Sequence, residues 1–389
     1  MRYPSLFTMP FVLLCLSGLM FFISFNMIVA ELPNYLTSLG GEQYKGLIIS
    51  LFTVTAGLSR PFSGKLADSI GRIPVMVIGA MMCVVCGFIY PVANSVFAFL
   101  TLRLFHGFST GFKPTGTAAY VADLVPATRR GEAMGLLGFF NSMGIAAGPI
   151  MGSWIAAEYS LDAMFYLSSL FSFLSVFILL NMKETVSEKK SFSPDLLKIS
   201  FADVFTPEVL PAAKVMATLT FTFGAVLTII PDFSDYLQVG NKGYFFAAFT
   251  GASLIVRVFF GRVSDLYGRV PVLFFALLCQ AATLIFLGFT NSETMFLILA
   301  GCLGICVGFH APAVFAWTID LSNKKHVGRA VATSYIALEI GIGSGAFLSA
   351  MVYANHAENF KYAFWLCALV ALIGFIYISS YMIRRRSFR

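Results

Sequence analysis

Apolar runs of bilayer-spanning length recur along the whole of this 389-residue chain. About 20 consecutive apolar residues suffice to cross a membrane as a helix. Twelve such runs can be drawn, at Pro10–Leu36, Tyr44–Lys65, Ile73–Val92, Val96–Ala119, Gly131–Ala157, Ala163–Met182, Leu210–Tyr236, Tyr244–Val263, Pro271–Phe289, Met295–Ile319, Gly328–Tyr353 and Tyr362–Ile383. Only 12% of the residues are charged, about half the share of an ordinary soluble protein. No globular core buries so many long apolar helices, and the runs lack the alternation of membrane-barrel strands. The expected fold is an all-α membrane protein of twelve transmembrane helices. The first run is too long for a secretory signal and continues through "NMIVAELPNYL" without a cleavage-type site.

Net charge is +7, which points to nucleic acid only if position is ignored. With the N-terminus inside, eighteen of the 26 Lys and Arg fall on the inner side, and only Lys45, Lys242 and Lys361 on the outer side. Cytoplasmic loops concentrate basic residues in this way. The bias predicts two cytoplasmic termini in a plasma membrane, the bacterial inner membrane being the expected one, and it argues for a lipid bilayer and against a nucleic-acid partner. The seven cysteines all lie in apolar runs. Cys83-x-x-Cys86 has the spacing of a metal or redox pair. No second pair and no nearby His is expected to complete it, so packing as small hydrophobes is expected, with no metal and no cofactor.

The sequence also repeats itself. "SGKLADSIGRIP" from Ser63 is echoed by "FGRVSDLYGRVP" from Phe260, so that Gly64/Gly261, Asp68/Asp265, Gly71/Gly268, Arg72/Arg269 and Pro74/Pro271 pair at one offset of 197 residues. The same offset relates Arg60 to Arg257, Gly107 to Gly304, Gly111 to Gly308, Asp123 to Asp320, Gly131 to Gly328, Gly144 to Gly341 and Gly148 to Gly345. Two six-helix bundles of one topology are expected, residues 1–182 and 208–389, joined by a polar and basic cytoplasmic linker over 183–207. Leu196, Leu197, Ile199, Val204 and Phe205 would place a short helix of that linker on the inner leaflet. Parallel repeats of this kind are a transporter plan, with the substrate held between halves that rock to face each side in turn.

Each echoed phrase falls in the short inner loop after the second span of its half. Gly64 and Gly71 would let helix and loop approach closely. Asp68 would set negative charge at a helix N-terminus, Arg72 would pair with Asp123, and Arg269 with Asp320. These residues form the candidate latch.

At these residues the chain resembles the major facilitator superfamily over essentially its full length. "GKLADSIGR" and "GRVSDLYGR" resemble the two copies of its loop signature, and "RLFHGFSTG" its fourth-span signature, with His106 where glutamine is usual. "GIAAGPIMGS" resembles a fifth-span signature of the drug:proton antiporter and sugar-efflux branch, with Ser153 in place of the last glycine. The resemblance implies that Asp68 faces the N-terminal end of span 11 and Asp265 that of span 5, closing a latch in the outward-facing state. It also implies that Gly144, Gly148, Pro149 and Gly152 pack span 5 against span 8 of the other half.

Ionisable residues inside spans are costly and therefore functional candidates. Span 4 carries Arg103, His106, Thr110, Lys113 and Thr117 on one helical stripe, expected to face the bundle interior. Arg103, Thr110 and Lys113 are candidates for the substrate cavity, as are Asn26 of span 1 and His310, which sits at the position of Lys113 in the other half. Glu339 in span 11, Glu31 in span 1 and His106 are candidates for proton coupling. Packing, snorkelling and structural hydrogen bonds are the competing roles. Arg60, Arg257 and Lys214 lie near inner ends, where long basic side chains reach headgroups.

Gly64-Lys65 is followed by Leu66, not by the Ser or Thr of a phosphate-binding loop, so ATP is not expected to drive this chain. No zincin motif, Ser/His/Asp grouping or large soluble domain suggests an enzyme. The expected function is secondary transport, a proton-coupled exporter of small organic or amphipathic solutes acting as a monomer. The alternative is a proton-coupled importer of an organic anion or sugar.

Overall fold

The computed structural model describes residues 8–126, 129–187, 190–198, 205–260, 263–322 and 327–387. Helix α1 (Met9–Val29) takes Pro10 in its first turn, where its missing N–H costs nothing. The first apolar run breaks at Ala30 and Glu31 and resumes as α2 (Leu32–Ser38). Then follow α3 (Lys45–Ile70), α4 (Arg72–Ile89), α5 (Val96–His106), α6 (Phe108–Leu124), α7 (Arg130–Glu158) and α8 (Leu161–Leu180). After the linker come α9 (Leu210–Tyr236), α10 (Gly243–Phe260), α11 (Val263–Tyr267), α12 (Arg269–Leu287), α13 (Glu293–Leu321), α14 (Val327–Tyr353) and α15 (Phe360–Ser387). No strand occurs among the described residues.

Ten of the described helices are long and apolar enough to cross a membrane. Two of the twelve expected spans take a different form, for physical reasons. The second folds as the single 26-residue helix α3, whose C-terminal half carries Arg60, Lys65 and Asp68. The fourth is divided at Gly107 into α5 and α6, and Pro114 lies inside α6 without ending it.

The described residues fall into two compact units. One comprises Met1–Glu31 and Thr55–Ile199, the other Leu32–Val54 and Ser200–Arg389. The boundary passes through α3 because its N-terminal part packs on α14. A Cβ at Gly46 would stand 2.8 Å from that of Ala350, and one at Gly343 would stand 2.5 Å from Thr53 Oγ1.

The two units repeat one packing scheme. In the first, α1 lies against α7 and α8, and α4 against α6 and α8. In the second, α9 lies against α14 and α15, and α12 against α13 and α15. Even the caps repeat: Ser95 accepts from the Ala98 amide at the start of α5, and Ser292, 197 positions later, from the Met295 amide at the start of α13. Each unit has its own apolar core. Phe11, Leu14, Met76, Tyr120 and Leu179 centre the first, and Val215, Met216, Leu273, Leu277 and Trp317 the second.

Glycine seams bring the long helices together. A Cβ at Gly144 would meet Phe22 Cβ at 2.8 Å, one at Gly148 would meet Asn26 Cβ at 2.9 Å, and Gly152 abuts the Met27 carbonyl. The stripe therefore lies against α1 of its own unit, which corrects the expectation that it packs on the eighth span. Pro149 lies within the same helix. In the second unit Gly341 and Gly345 meet Ala217, Thr220 and Phe221 of α9 in the same manner.

The linker also departs from expectation. Residues 194–197 form a short 3₁₀ turn, and Leu196 packs on Leu66, Ala67, Val75 and Phe112 instead of facing the leaflet. The Lys190 amide donates to the Ser69 carbonyl at 2.9 Å, and Lys65 Nζ to the Lys198 carbonyl at 2.8 Å. Ile199 and Val204 lie outside the described residues.

Candidate functional site

The polar stripe of the fourth span faces inward. Arg103 is 0% exposed and Lys113 1%. His106 and Thr117 are buried and Thr110 is half-buried. Arg103 Nη1 donates to the Tyr90 hydroxyl at 3.2 Å and lies 3.3 Å from His106 Nδ1. The Tyr90 oxygen is 3.1 Å from the same Nδ1, and Cys83 Sγ is 3.2 Å from His106 Nε2. A guanidinium only donates, so Nδ1 accepts, the ring proton sits on Nε2, and Nε2 donates to the Cys83 sulfur. Tyr90 is fixed by stacking on Phe165, with ring centroids 5.0 Å apart.

This network corrects one sequence expectation. Cys83 does have a histidine beside it, because α4 packs along α5 and α6 and brings residues 83 and 106 together. No group of His, Cys, Asp and Glu capable of holding a metal occurs among the described residues. Tyr90, at the end of the third span, was invisible to sequence reasoning. A lone Tyr beside Pro91 reads as a membrane-interface residue.

Lys113 has a different setting. Its Nζ reaches Thr117 Oγ1 at 3.4 Å and stands 5.8 Å from the centre of the Phe21 ring. Thr117 Oγ1 donates to the Lys113 carbonyl at 2.8 Å. A hydroxyl and an aromatic face are weak compensation for an ammonium taken out of water.

Among the acids, Glu31 is buried in the turn after α1 and accepts from Ser153 Oγ at 2.7 Å. The serine that replaces the last glycine of the fifth-span signature thus has a hydrogen-bonding task. Asn26 is buried against Gly148, and its Nδ2 donates to the Phe22 carbonyl at 2.8 Å. Glu339 is buried in α14 at 7% exposure, and Asp232 of α9 is buried to a like degree, 8%. Sequence reading passed over Asp232. Lys45 Nζ donates to its Oδ2 at 2.5 Å, while Lys242, which the repeat pairs with Lys45, lies 3.1 Å from Asp235. Two of the three lysines assigned to the outer side are therefore neutralised by acids of one helix, and the third, Lys361, sits 4.9 Å from the Tyr362 ring centre. His310, in α13, is buried, and neither ring nitrogen has a hydrogen-bond partner among the described residues.

The duplicated loops hold the expected ion pairs. Arg72 bonds Asp68 and, through Nε, Asp123 at 3.1 Å. Arg269 bonds Asp265 and Asp320 at 3.3 Å. Gly71 and Gly268 precede α4 and α12 with φ of +125° and +90°, a region nearly closed to side chains. Gly64 has only an ordinary contact, 4.0 Å to Thr115, so close approach does not require a glycine there, contrary to expectation. Gly261 lies outside the described residues.

A carboxylate does sit at the N-terminus of α4, that of Glu184 from the segment after α8. It accepts from the amides of Arg72 at 3.1 Å and Ile73 at 3.0 Å, and from Thr185 at 2.8 Å and Val186 at 3.1 Å. Partial burial pushes its pKa up, but the four amide donors outweigh this and hold it below the usual carboxylate value. Thr185 Oγ1 donates to Asp123 at 2.6 Å, and the Tyr120 hydroxyl to the Lys183 carbonyl at 2.7 Å.

Membrane-crossing helices packed twice in one scheme, with charged side chains buried inside the spans, define the class of multi-span solute transporters. The sequence profile of the Major Facilitator Superfamily matches residues 14–249 and 215–389, and the chain belongs to that family. It is 27% identical over 384 residues to the multidrug resistance protein MdtG of Serratia proteamaculans, with 94% of this chain and 92% of that protein covered. To the MdtG of Escherichia fergusonii it is 27% identical over 379 residues, with 93% and 92% covered. The crystal structure of the human organic anion transporter MFSD10 (TETRAN) matches at a TM-score of 0.73 and 19% identity, over 95% of this chain and 98% of that one. A bacterial homolog of the human lysosomal transporter Spinster, inward-facing and unoccupied, matches at 0.77 and 12% identity, over 95% of each. At those identities the structural likeness is one of fold.

Proposed function

We propose that this chain is a proton-coupled exporter of small organic or amphipathic solutes. The observation that carries the reading is a likeness to multidrug resistance proteins that runs through 94% of the chain, together with the fifth-span signature. Two bundles, residues 1–182 and 208–389, rock about a shared substrate site, with 183–207 as the cytoplasmic connection. The protein acts as a monomer in a bacterial inner membrane with both termini in the cytoplasm.

The duplicated loops are the inner latch, built from Gly64, Asp68, Gly71, Arg72 and Asp123 and from Gly261, Asp265, Gly268, Arg269 and Asp320. Proton coupling falls to Glu339, with Glu31 and His106 as further carriers. Asn26, Arg103, Thr110, Lys113 and His310 contact the solute. The buried carboxyl groups support the coupling role, since a carboxylate inside a span is stable only when paired or protonated.

Reconstituted into proteoliposomes, the wild type should move a fluorescent amphiphile against its gradient when an inward proton gradient is imposed. Glu339→Gln, which keeps shape and hydrogen bonding but cannot ionise, should lose gradient-driven flux by about a hundredfold while retaining counterflow exchange, as removal of a proton-transfer group typically costs. Full gradient-driven flux in that variant would take Glu339 out of the coupling role.

A further inference from the structure

Three lysines are buried among the described residues, and their settings differ. Lys45 Nζ lies 2.5 Å from Asp232 Oδ2, and Lys242 Nζ 3.1 Å from Asp235 Oδ2. Lys113 is the most deeply buried of the three, at 1% exposure, and no carboxylate among the described residues is bound to it. Its Nζ has the Thr117 hydroxyl at 3.4 Å and the centre of the Phe21 ring at 5.8 Å. A charge-assisted N–H···O bond is shorter, about 2.7–2.9 Å. Thr117 gives its own proton to the Lys113 carbonyl, so its oxygen accepts from Nζ, a bond that an uncharged amine makes as well.

The side chain is closed in by α1 and α4. A Cβ at Gly79 would stand 2.4 Å from the Lys113 amide nitrogen and 2.9 Å from Lys113 Cβ, and one at Gly116 would stand 2.7 Å from Met76 Cγ. Phe21 belongs to a buried cluster with Ala80, Cys83, Val84 and Val176. The helices packed on α6 are α1, α4, α5 and α7, and their ionisable groups are few. Over Met9–Val29, α1 carries Cys15 and no charged residue, and α7 has none between Glu132 and Glu158. In α4 are Cys83 and Cys86, with Arg72 at its start bound to Asp68 and Asp123. Arg103 and His106 of α5 are engaged with Tyr90 and Cys83. In α6 itself, Tyr120 donates to the Lys183 carbonyl and Asp123 holds Arg72.

An ammonium sealed from water inside a span with no anion beside it is unfavourable. The neutral amine fits the same space as an aliphatic chain ending in one weak hydrogen bond. The corresponding position of the second unit holds another buried base, His310, again without a hydrogen-bond partner among the described residues.

We infer that Lys113 carries a coupling proton. The close-packed state holds it as the neutral amine, and protonation favours a state in which Nζ meets water or an anion. The Nζ lone pair takes the proton from a hydronium ion and later returns it to water, with no other bond made or broken. The inference rests on the proton-coupled reading above and adds a proton-carrying duty to a residue placed there against the solute.

The test is a series of thermal melts of the purified full-length protein in detergent, wild type against Lys113→Met. An unfolded lysine stays protonated up to about pH 10.4. With the folded amine neutral, the unfolded chain binds one proton more. Between about pH 7 and about pH 9 the wild type should therefore gain on the variant, by up to about tenfold in the folding constant per pH unit. A difference in melting temperature that stays flat or falls with rising pH would show an ammonium in the folded state and overturn the inference. Lys113→Gln serves in the same comparison if the Met variant does not fold. Lys113→Arg, which cannot shed its charge, should melt below both wild type and Lys113→Met, and an Arg variant as stable as wild type would count against a neutral amine.

Coupling is read separately, as flux of a fluorescent amphiphile in proteoliposomes under an imposed proton gradient. Lys113→Met should lose gradient-driven flux by about a hundredfold, as removal of a proton-transfer group does. Full gradient-driven flux in that variant would remove the proton-carrying role and leave the exporter reading standing. Wild-type flux that ignores the gradient would overturn the proton-coupled reading and this role with it, whatever the melts show.

Discussion

In the first unit, Arg72 joins Asp68 to Asp123, Thr185 adds a hydroxyl to Asp123, and Glu184 accepts from the first amides of α4. In the second, Arg269 joins Asp265 to Asp320, with Ser264 as a further acceptor at 2.8 Å. There, among the described residues, no carboxylate accepts from the first amides of α12. The acids differ in exposure as well: the Asp123 side chain is 31% exposed and that of Asp320 55%. One sequence phrase therefore makes two devices. The first is built into its unit by the chain that follows α8. The second is an ion-pair triad open to water. If opening and closing require these loops to change partners, the second is the cheaper one to disturb.

The largest effect that separates them is expected at the glycines. Both hold φ values that a Cβ resists, so Gly71→Ala and Gly268→Ala should each lose about 1–3 kcal/mol of stability from backbone strain. At Gly71 the added methyl also meets the Glu184 carboxyl group, whereas at Gly268 the nearest atom is Pro271 Cδ at 3.5 Å. Thermal melts in detergent should therefore rank Gly71→Ala well below Gly268→Ala. Equal melting temperatures would mean that the Glu184 cap gives way freely, and the contrast between the loops would fall.

Next comes the cap itself. Glu184→Ala strips the acceptor from the Arg72 and Ile73 amides, and with water able to replace part of it the cost should be about 1–2 kcal/mol. The sign of the pH dependence follows from its lowered pKa. A group more acidic folded than unfolded contributes its full stability above the unfolded value, about 4.3 for Glu. That contribution is lost as pH falls through the folded value. The wild type should thus lose its advantage over Glu184→Gln on acidification below about pH 4.5, and hold it unchanged between pH 6 and 8. A wild-type advantage that grows on acidification would contradict the cap. The second loop offers no counterpart to this titration.

These differences show what repetition in a sequence encodes and what it omits. The ion pairs of Arg72 and Arg269 were legible because both copies carry every member of the triad at one offset. The helical architecture was legible because apolar length forces it. Glu184 was not, since its repeat position is Tyr381 and a contact present once leaves no echo. The Arg103 network is of the same kind: the second half has Leu287, Ala300 and Leu303 where the first has Tyr90, Arg103 and His106. Lys45 and Lys242 are echoed, but both of their acids, Asp232 and Asp235, come from α9, so the partners could not be read from the offset. The fifth-span glycines were placed against the eighth span by the family resemblance alone. Four-residue spacing identifies a packing stripe, and only the fold says that α1 fills it.

The smallest expected contrast is between the arginines. Surface ion pairs contribute about 0–1 kcal/mol because water screens them and ordering the side chains costs entropy. Arg269, with both carboxylates more than half exposed, should fall at the bottom of that range, so Arg269→Ala should leave the melting temperature within error of wild type. Arg72 has a side chain only 15% exposed and a carboxylate partner at 31%, so Arg72→Ala should cost nearer the top of the range. It also leaves Asp123 held by Thr185 but without its cation. Adding salt sharpens the comparison: ionic screening should reduce the Arg72 effect only in part, because a half-buried pair is shielded from counterions. If Arg269→Ala proves the more damaging of the two, exposure is not what separates the loops. The fastening around Glu184 would then be a consequence of chain connectivity with no bearing on the strength of the first ion-pair cluster.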